Sequence, residues 1–256
     1  MPLVAFFGAT GDCAGYCLAS ALDAGYDCRA LARTPSKLTA SMKAKGVSAD
    51  SLDNHLTIIE GNVKDVEAVK RTLQLPGDSA VVDKIVSGVG GTPQLQWSLL
   101  QPVTLDDPTI CQSAGRTILK ALQELRPAKK PMLANVSTTG IPAPGAPRDV
   151  PLLLVPLYHW ALQVPHADKR VLEQVLREHL ELPESEQALS GYVNVKPSLL
   201  MDGDGVGVQA VREGIDEKPA VGYTIRRIDV GRWMFEKLVK KDVTDQWRNK
   251  SVTITY

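Results

Sequence analysis

Leu3-Val-Ala-Phe-Phe7 runs directly into Gly8-Ala-Thr-Gly11-Asp12-Cys13-Ala14-Gly15, and this junction decides the fold. An uninterrupted apolar run ending at glycine reads as a strand buried on both faces. From Cys13 to Ala24 the residues Ala14, Cys17, Leu18, Ala21 and Leu22 recur at helical spacing, so strand, turn and helix follow in order. Glycines at such a turn let the backbone approach a pyrophosphate, while the first N–H groups and positive dipole end of the helix hold the anion. The context predicts a dinucleotide site on Gly8, Thr10, Gly11, Asp12, Cys13 and Ala14.

Outward from this unit the alternation repeats. Asp27 to Leu31 reads as a second strand, and Thr34-Pro35 caps a helix to about Lys45. Leu56 to Glu60 is a third strand, Asp65 caps a helix through Leu73, and Ala80 to Ser87 is a fourth strand. After an irregular stretch with Gly88, Gly90, Gly91 and Trp97, Asp107-Pro108 caps a helix through Leu125, and Pro131 to Ser137 is a fifth strand. Right-handed crossovers then predict an α/β fold, a doubly wound parallel sheet of the Rossmann type, with its ligand beyond the carboxyl ends of the strands.

The second half is less regular. It holds a Pro/Gly loop (Ile141 to Pro151), a helix pair (Leu152 to Gln163, His166 to Leu180), a strand at Gly191 to Val195, a Gly-rich loop (Asp202 to Gly207) and a helix from Val230 to Val239. Ser251 to Tyr256 reads as a strand that either adds an edge to the sheet or covers the pocket. The expectation is one domain over 1–256, with a small irregular C-terminal part and substrate-pocket segments near 138–165 and 197–256.

Of 256 residues, 29 are Lys or Arg and 29 Asp or Glu, without the basic excess that nucleic-acid binding uses. The apolar run Val150 to Val164 is broken by Pro151 and Pro156 and falls short of the ~20 residues a membrane span needs. With no secretion signal, the expected location is cytoplasmic. Cys13, Cys17, Cys28 and Cys111 form no C-x-x-C pair and read as buried thiols rather than metal ligands or disulfides.

The second strand ends Ala30-Leu31-Ala32-Arg33-Thr34, with no carboxylate for a ribose 2′-OH. Arg33 offers a planar fork of donors suited to a 2′-phosphate, which favours NADP(H) over NAD(H).

Gly8-Ala-Thr-Gly11 with Ala14-Gly15, Arg33, Gly61-Asn62-Val63-Lys64-Asp65, Ser137-Thr138-Thr139 and Lys196-Pro197-Ser198 together resemble the atypical short-chain dehydrogenase/reductases. Within them the chain is similar to the NmrA-like NAD(P)-binding proteins, some of which occur in fungal secondary-metabolite pathways. The resemblance implies that Gly8, Thr10, Gly11 and Ala14 line the pyrophosphate, that Arg33 takes the 2′-phosphate, and that Asn62 and Val63 flank the adenine. It places Gly88 under the nicotinamide ribose and Ser137 to Thr139 near the reacting ring.

The better-known branch of that family carries a Tyr-x-x-x-Lys pair, whose lysine lowers the pKa of the tyrosine that passes a proton to a carbonyl. Here Leu162 stands four residues after Tyr158, and Pro165 stands four before Lys169, the counterpart of the lysine. Tyr158 and His166 remain as proton donors, Ser137 as a site hydroxyl, and Lys169 as a ribose and cofactor contact. Each has a plainer reading: Lys169 as a solvated charge paired with Glu173 at i+4, Tyr158 as core packing, His166 as a helix-start residue, Ser137 as a strand-end hydroxyl. Leu152 to Leu162 is a pocket roof, a core helix or a dimer face, so a homo-oligomer stays open. These features point to an NADPH-dependent oxidoreductase acting on a small apolar carbonyl, quinone or enone. A redox-neutral isomerase, dehydratase or cyclase and an NADP(H)-sensing regulator are the alternatives.

Overall fold

The computed structural model describes residues 1–75, 77, 80–97 and 102–256, with the backbone alone at His159. In chain order the strands are β1 (Val4–Phe7), β2 (Cys28–Ala32), β3 (Leu56–Glu60), β4 (Lys84–Ser87), β5 (Pro93–Leu95), β6 (Val103–Leu105), β7 (Met132–Val136), β8 (Gly191–Pro197), β9 (Leu199–Met201), β10 (Arg212–Ile215), β11 (Thr224–Arg226) and β12 (Lys250–Thr255). The helices are α1 (Asp12–Asp23), α2 (Pro35–Ala44), α3 (Ala49–His55), α4 (Val66–Leu73), α5 (Ile110–Leu125), α6 (Val155–Trp160), α7 (Gln163–Glu181) and α8 (Arg227–Met234).

Among the described residues the main sheet runs β3-β2-β1-β4-β7-β8-β12-β10, all parallel except β10 at one edge. The pleat of β1 shows why its apolar run does not alternate. Val4 and Phe6 pack towards α1, α8 and the residues that follow α8, whereas Ala5 and Phe7 pack towards α4, α5 and α7. Burying a phenylalanine contributes about 1.5–3 kcal/mol, so both faces of β1 hold helices. The sheet is doubly wound, as the alternation predicts.

Local chemistry explains the helix starts unevenly. Asp65 accepts from Glu67 N at 3.0 Å, the expected cap of α4. Thr34 occupies the N-cap of α2 with Pro35 behind it, but its hydroxyl makes no capping bond. α5 begins at Ile110, later than Asp107-Pro108 suggests, and its end is satisfied from another helix. Asp168 of α7 accepts from Cys111 N at 2.8 Å and Gln112 N at 3.0 Å, tying α5 to α7.

Three features depart from the sequence reading. The C-terminal segment is neither an edge strand nor a pocket cover, since β12 lies between β8 and β10 and its side chains are almost all buried. The irregular stretch after Gly88 holds the antiparallel pair β5 and β6. The run from Leu152 is not a core helix, because Leu152, Leu153, Leu157 and Trp160 are exposed and, among its described side chains, Tyr158 and Ala161 are the buried ones. All four cysteines are free and buried, and burial pushes the Cys13 and Cys111 thiols up to about 12. Among the described residues no helix is long and apolar enough to cross a membrane.

Candidate active site

A cavity of about 380 Å³ opens at the carboxyl ends of β1, β2 and β4, at the point where the chain winds to opposite faces of the sheet. Gly8, Thr10, Gly11, Arg33, Asn62, Val63 and Gly88 all line it. Gly8 has φ +74°, and a Cβ there would stand 2.7 Å from the carbonyl carbon of Gly88 and the nitrogen of Val89. Backbone therefore touches backbone between the turns after β1 and β4, and only glycine permits it. Gly11 N donates to Gly8 O at 3.0 Å, which closes the turn and leaves Gly11 as the N-cap of α1. This cradle and the α1 N-terminus fit a pyrophosphate.

The other residues expected at the cofactor sit behind this surface. Asp12 is exposed and pairs with Lys45 at 2.9 Å, and Cys13 and Ala14 are buried in the first turn of α1. Across the cavity from the glycine turn, Asn62 Oδ1 accepts from Lys64 N at 3.0 Å, so its acceptor half serves the turn and its N–H2 is the half available to an adenine edge. Lys64 reaches Asp107 at 2.5 Å, spanning two walls of the cavity. Hydrogen bonds from Thr92 and Asp107 hold the Asp106 carboxyl below its usual range, with a smaller pull from Arg33.

A second cluster forms where β7 and β8 end. Ser137, just past β7, donates its hydroxyl to Glu173 Oε1 on α7, and Glu173 Oε2 pairs with Lys196 Nζ of β8 at 3.0 Å. Lys196 also donates to Ile141 O at 2.8 Å. Burial raises the Glu173 carboxyl above its usual value, and Lys196 and Ser137 oppose the rise. The i+4 pairing of Lys169 with Glu173 is thus not made, because Glu173 points inward to Lys196. Lys169 Nζ instead donates to Val136 O at 2.8 Å and Ser137 O at 3.3 Å, at the tip of β7.

Tyr158 is buried, with its hydroxyl 3.4 Å from Thr139 Oγ1 and its ring 5.4 Å from that of His166. Burial raises the phenol's pKa. Gly140, at φ +86°, lies under both rings: a Cβ there would meet Tyr158 Cδ1 at 2.3 Å and His166 Cε1 at 2.9 Å. Ser137, Tyr158, His166 and Lys169 are thereby gathered around the segment after β7. The sequence reading missed Glu173, Lys196 and Asp149 as members of this cluster. The visible signal for one of them is a lysine in β8, whose residues are otherwise mostly apolar and all buried.

The family model described as NAD(P)H-binding matches residues 8–241, from the glycine turn to just past α8. The chain belongs to the NAD(P)H-binding family. Within this family it is 49% identical over 262 residues to Reductase pytE of Aspergillus terreus, covering 100% of this chain and 98% of the relative. It is 38% identical over 284 residues to Oxidase pynE of Aspergillus niger, covering 99% and 98%. Among solved structures, the Anaerobillin Reductase ChuY of Escherichia coli O157:H7 superposes with a TM-score of 0.64 at 17% identity, covering 98% and 96%. The oxidoreductase ylbE of Lactococcus lactis gives 0.63 at 18%, covering 98% and 90%. At such identities the structural likeness speaks for the fold.

Proposed function

We propose that this oxidoreductase is an NADPH-dependent reductase of a small, apolar carbonyl, quinone or enone. The observation that carries the reading is the cavity itself, with a glycine cradle at one end and Arg33 on its wall. When bound, the nicotinamide cofactor would supply a hydride. Gly8, Thr10 and Gly11 would hold the pyrophosphate, Arg33 the 2′-phosphate, and Asn62 and Val63 the adenine. The two named relatives point in opposite redox directions, and the greater identity to Reductase pytE, 49% against 38%, favours reduction. A place in secondary-metabolite biosynthesis belongs to the same reading.

The chain's own groups divide the remaining work. Ser137 gives its hydrogen to Glu173, and Lys169 gives two of its three N–H donors to strand-end carbonyls, which leaves one for a cofactor ribose. Thr139 donates to Pro197 O at 3.3 Å, which leaves its oxygen to accept from the Tyr158 phenol. Tyr158, bonded to a neutral hydroxyl rather than to a carboxyl group as Ser137 is, is assigned as the proton donor, with the His166 ring tilted beside it. Leu153, Leu157 and Trp160 on the exposed side of the same segment would roof an apolar substrate.

The test is NADPH consumption with menadione and a panel of enones and aldehydes. Turnover is expected, with kcat/KM for NADPH about tenfold or more above that for NADH. Conversion of a substrate without any change in nucleotide would replace it by the redox-neutral isomerase, dehydratase or cyclase, which the absent Tyr-x-x-x-Lys pair favours.

A further inference from the structure

The turn after β7 carries three consecutive attachments. Thr139 meets the Tyr158 hydroxyl, Gly140 N donates to Asp149 Oδ1 at 3.0 Å, and Ile141 O accepts from Lys196. Asp149, Glu173 and Lys196 are 3%, 5% and 1% exposed, so two carboxyl groups and one ammonium share a region from which water is excluded. Lys196 is committed to Glu173 at 3.0 Å, and Asp149 Oδ2 is buried with no hydrogen-bond partner.

An ionised carboxylate with an unmet buried oxygen is among the costliest groups a fold can hold. One lysine balances one carboxylate, and the cluster becomes neutral only if the second carboxyl keeps its proton. The groups that face Asp149 agree with this. Lys196 of β8 is the cation and Asp216 of the turn after β10 brings negative charge, while Tyr158 of α6 and His166 of α7 lie across Gly140. Burial, the largest influence on Asp149, also raises its carboxyl above the usual range.

We propose that Asp149 stores the proton that Tyr158 passes to the substrate oxygen. The proposal rests on the reductase reading above. Asp149 and the Tyr158 hydroxyl are anchored on adjacent residues, whose Cα atoms are about 3.8 Å apart across a trans peptide. In the reaction the carbonyl carbon takes the hydride that NADPH supplies, and the carbonyl oxygen takes the Tyr158 proton. Tyr158 recovers a proton from Asp149, and Asp149 recovers one from solvent after product leaves. Asp149 is a positioning residue one step behind the donor.

The experiment compares wild type with Asp149→Asn, which keeps the acceptor for Gly140 N and removes the acid, and with Tyr158→Phe. The infrared difference between wild type and Asp149→Asn at pH 7.5 is expected to contain the C=O stretch of a protonated carboxyl. A carboxylate signal in its place overturns the stored proton. Because the folded carboxyl titrates above its unfolded value near 3.8, its favourable contribution is present below that pH and is lost as pH rises. Asp149→Asn should therefore melt above wild type at pH 7.5, with the gap closing towards pH 4, and a melting point below wild type at pH 7.5 counts against the stored proton. With menadione, Asp149→Asn should lose about tenfold or more in kcat while NADPH affinity is unchanged, and Tyr158→Phe should lose at least as much. Wild-type kcat in Asp149→Asn from pH 5 to 9 overturns the delivery role even if the infrared band is present. If wild type turns over no carbonyl at all, the reductase reading and the delivery fall together, and the infrared and melting results still decide the stored proton.

Discussion

Replacing Lys196 by methionine is expected to destabilise the fold by about 3–5 kcal/mol, the range for removing one partner of a buried ion pair. Lys196 Nζ is held by Glu173 at 3.0 Å and by Ile141 O at 2.8 Å, in a place that water does not reach. Methionine fills the volume but leaves Glu173 with Ser137 alone as donor. The loss should depend on pH with a definite sign. Burial already raises the folded Glu173 carboxyl above its ordinary 4.5, and without the lysine that opposes this the value rises further. Glu173 then contributes most below its unfolded value, and that contribution disappears as pH climbs through the folded value. The deficit of Lys196→Met relative to wild type should be smallest near pH 4.5 and largest near pH 8 in denaturant titrations. Adding Glu173→Leu should recover a large part of it, since apolar replacement of both partners leaves no stranded charge. A deficit that does not change with pH would mean that Lys196 acts through packing alone.

Gly8→Val tests the cradle. The residue has φ +74°, where a β-branched side chain is strained by about 1–3 kcal/mol, and its Cβ would enter backbone atoms 2.7 Å away. Backbone cannot swing aside as a long side chain can, so overpacking adds about 1–3 kcal/mol more. The expected result is about 2–6 kcal/mol of lost stability, together with loss of nucleotide binding, because the turns after β1 and β4 must part. Gly46 supplies the control. Its φ is +90° but nothing lies within 4 Å of a Cβ there, so Gly46→Ala should lose only about 1 kcal/mol and bind nucleotide normally. Equal losses in the two variants would show that conformation, not the close approach of Gly8 to Gly88, is what matters.

The parts of the molecule that could be read from sequence are those set by local pattern. The apolar run of β1, the helical spacing behind Gly11 and the cap at Asp65 each depend on neighbours within a few residues, and the sheet from β3 to β7 follows from repeating that unit. The cavity was legible for the same reason, since Gly8, Arg33, Asn62 and Gly88 all sit where a strand ends. What escaped depends on partners distant in sequence. β12 lies between β8 and β10 through pairing over tens of residues, which no periodicity reveals. Asp168 caps a helix through Cys111, 57 residues earlier, and Ser137, Glu173 and Lys196 meet from three elements. Lys169 and Glu173 illustrate the limit. Their i+4 spacing matches a surface ion pair, yet burial of Glu173 turns it to Lys196 and sends Lys169 to the end of β7.

Selectivity of the nucleotide site for the 2′-phosphate can be measured by fluorescence titration of the purified protein with NADPH and NADH, repeated on Arg33→Ala. Wild type should bind NADPH more tightly than NADH, and Arg33→Ala should lose about 1.5–3 kcal/mol of NADPH affinity, roughly 10- to 150-fold, with NADH little changed. Equal affinity of wild type for the two nucleotides, unaltered by Arg33→Ala, would contradict it.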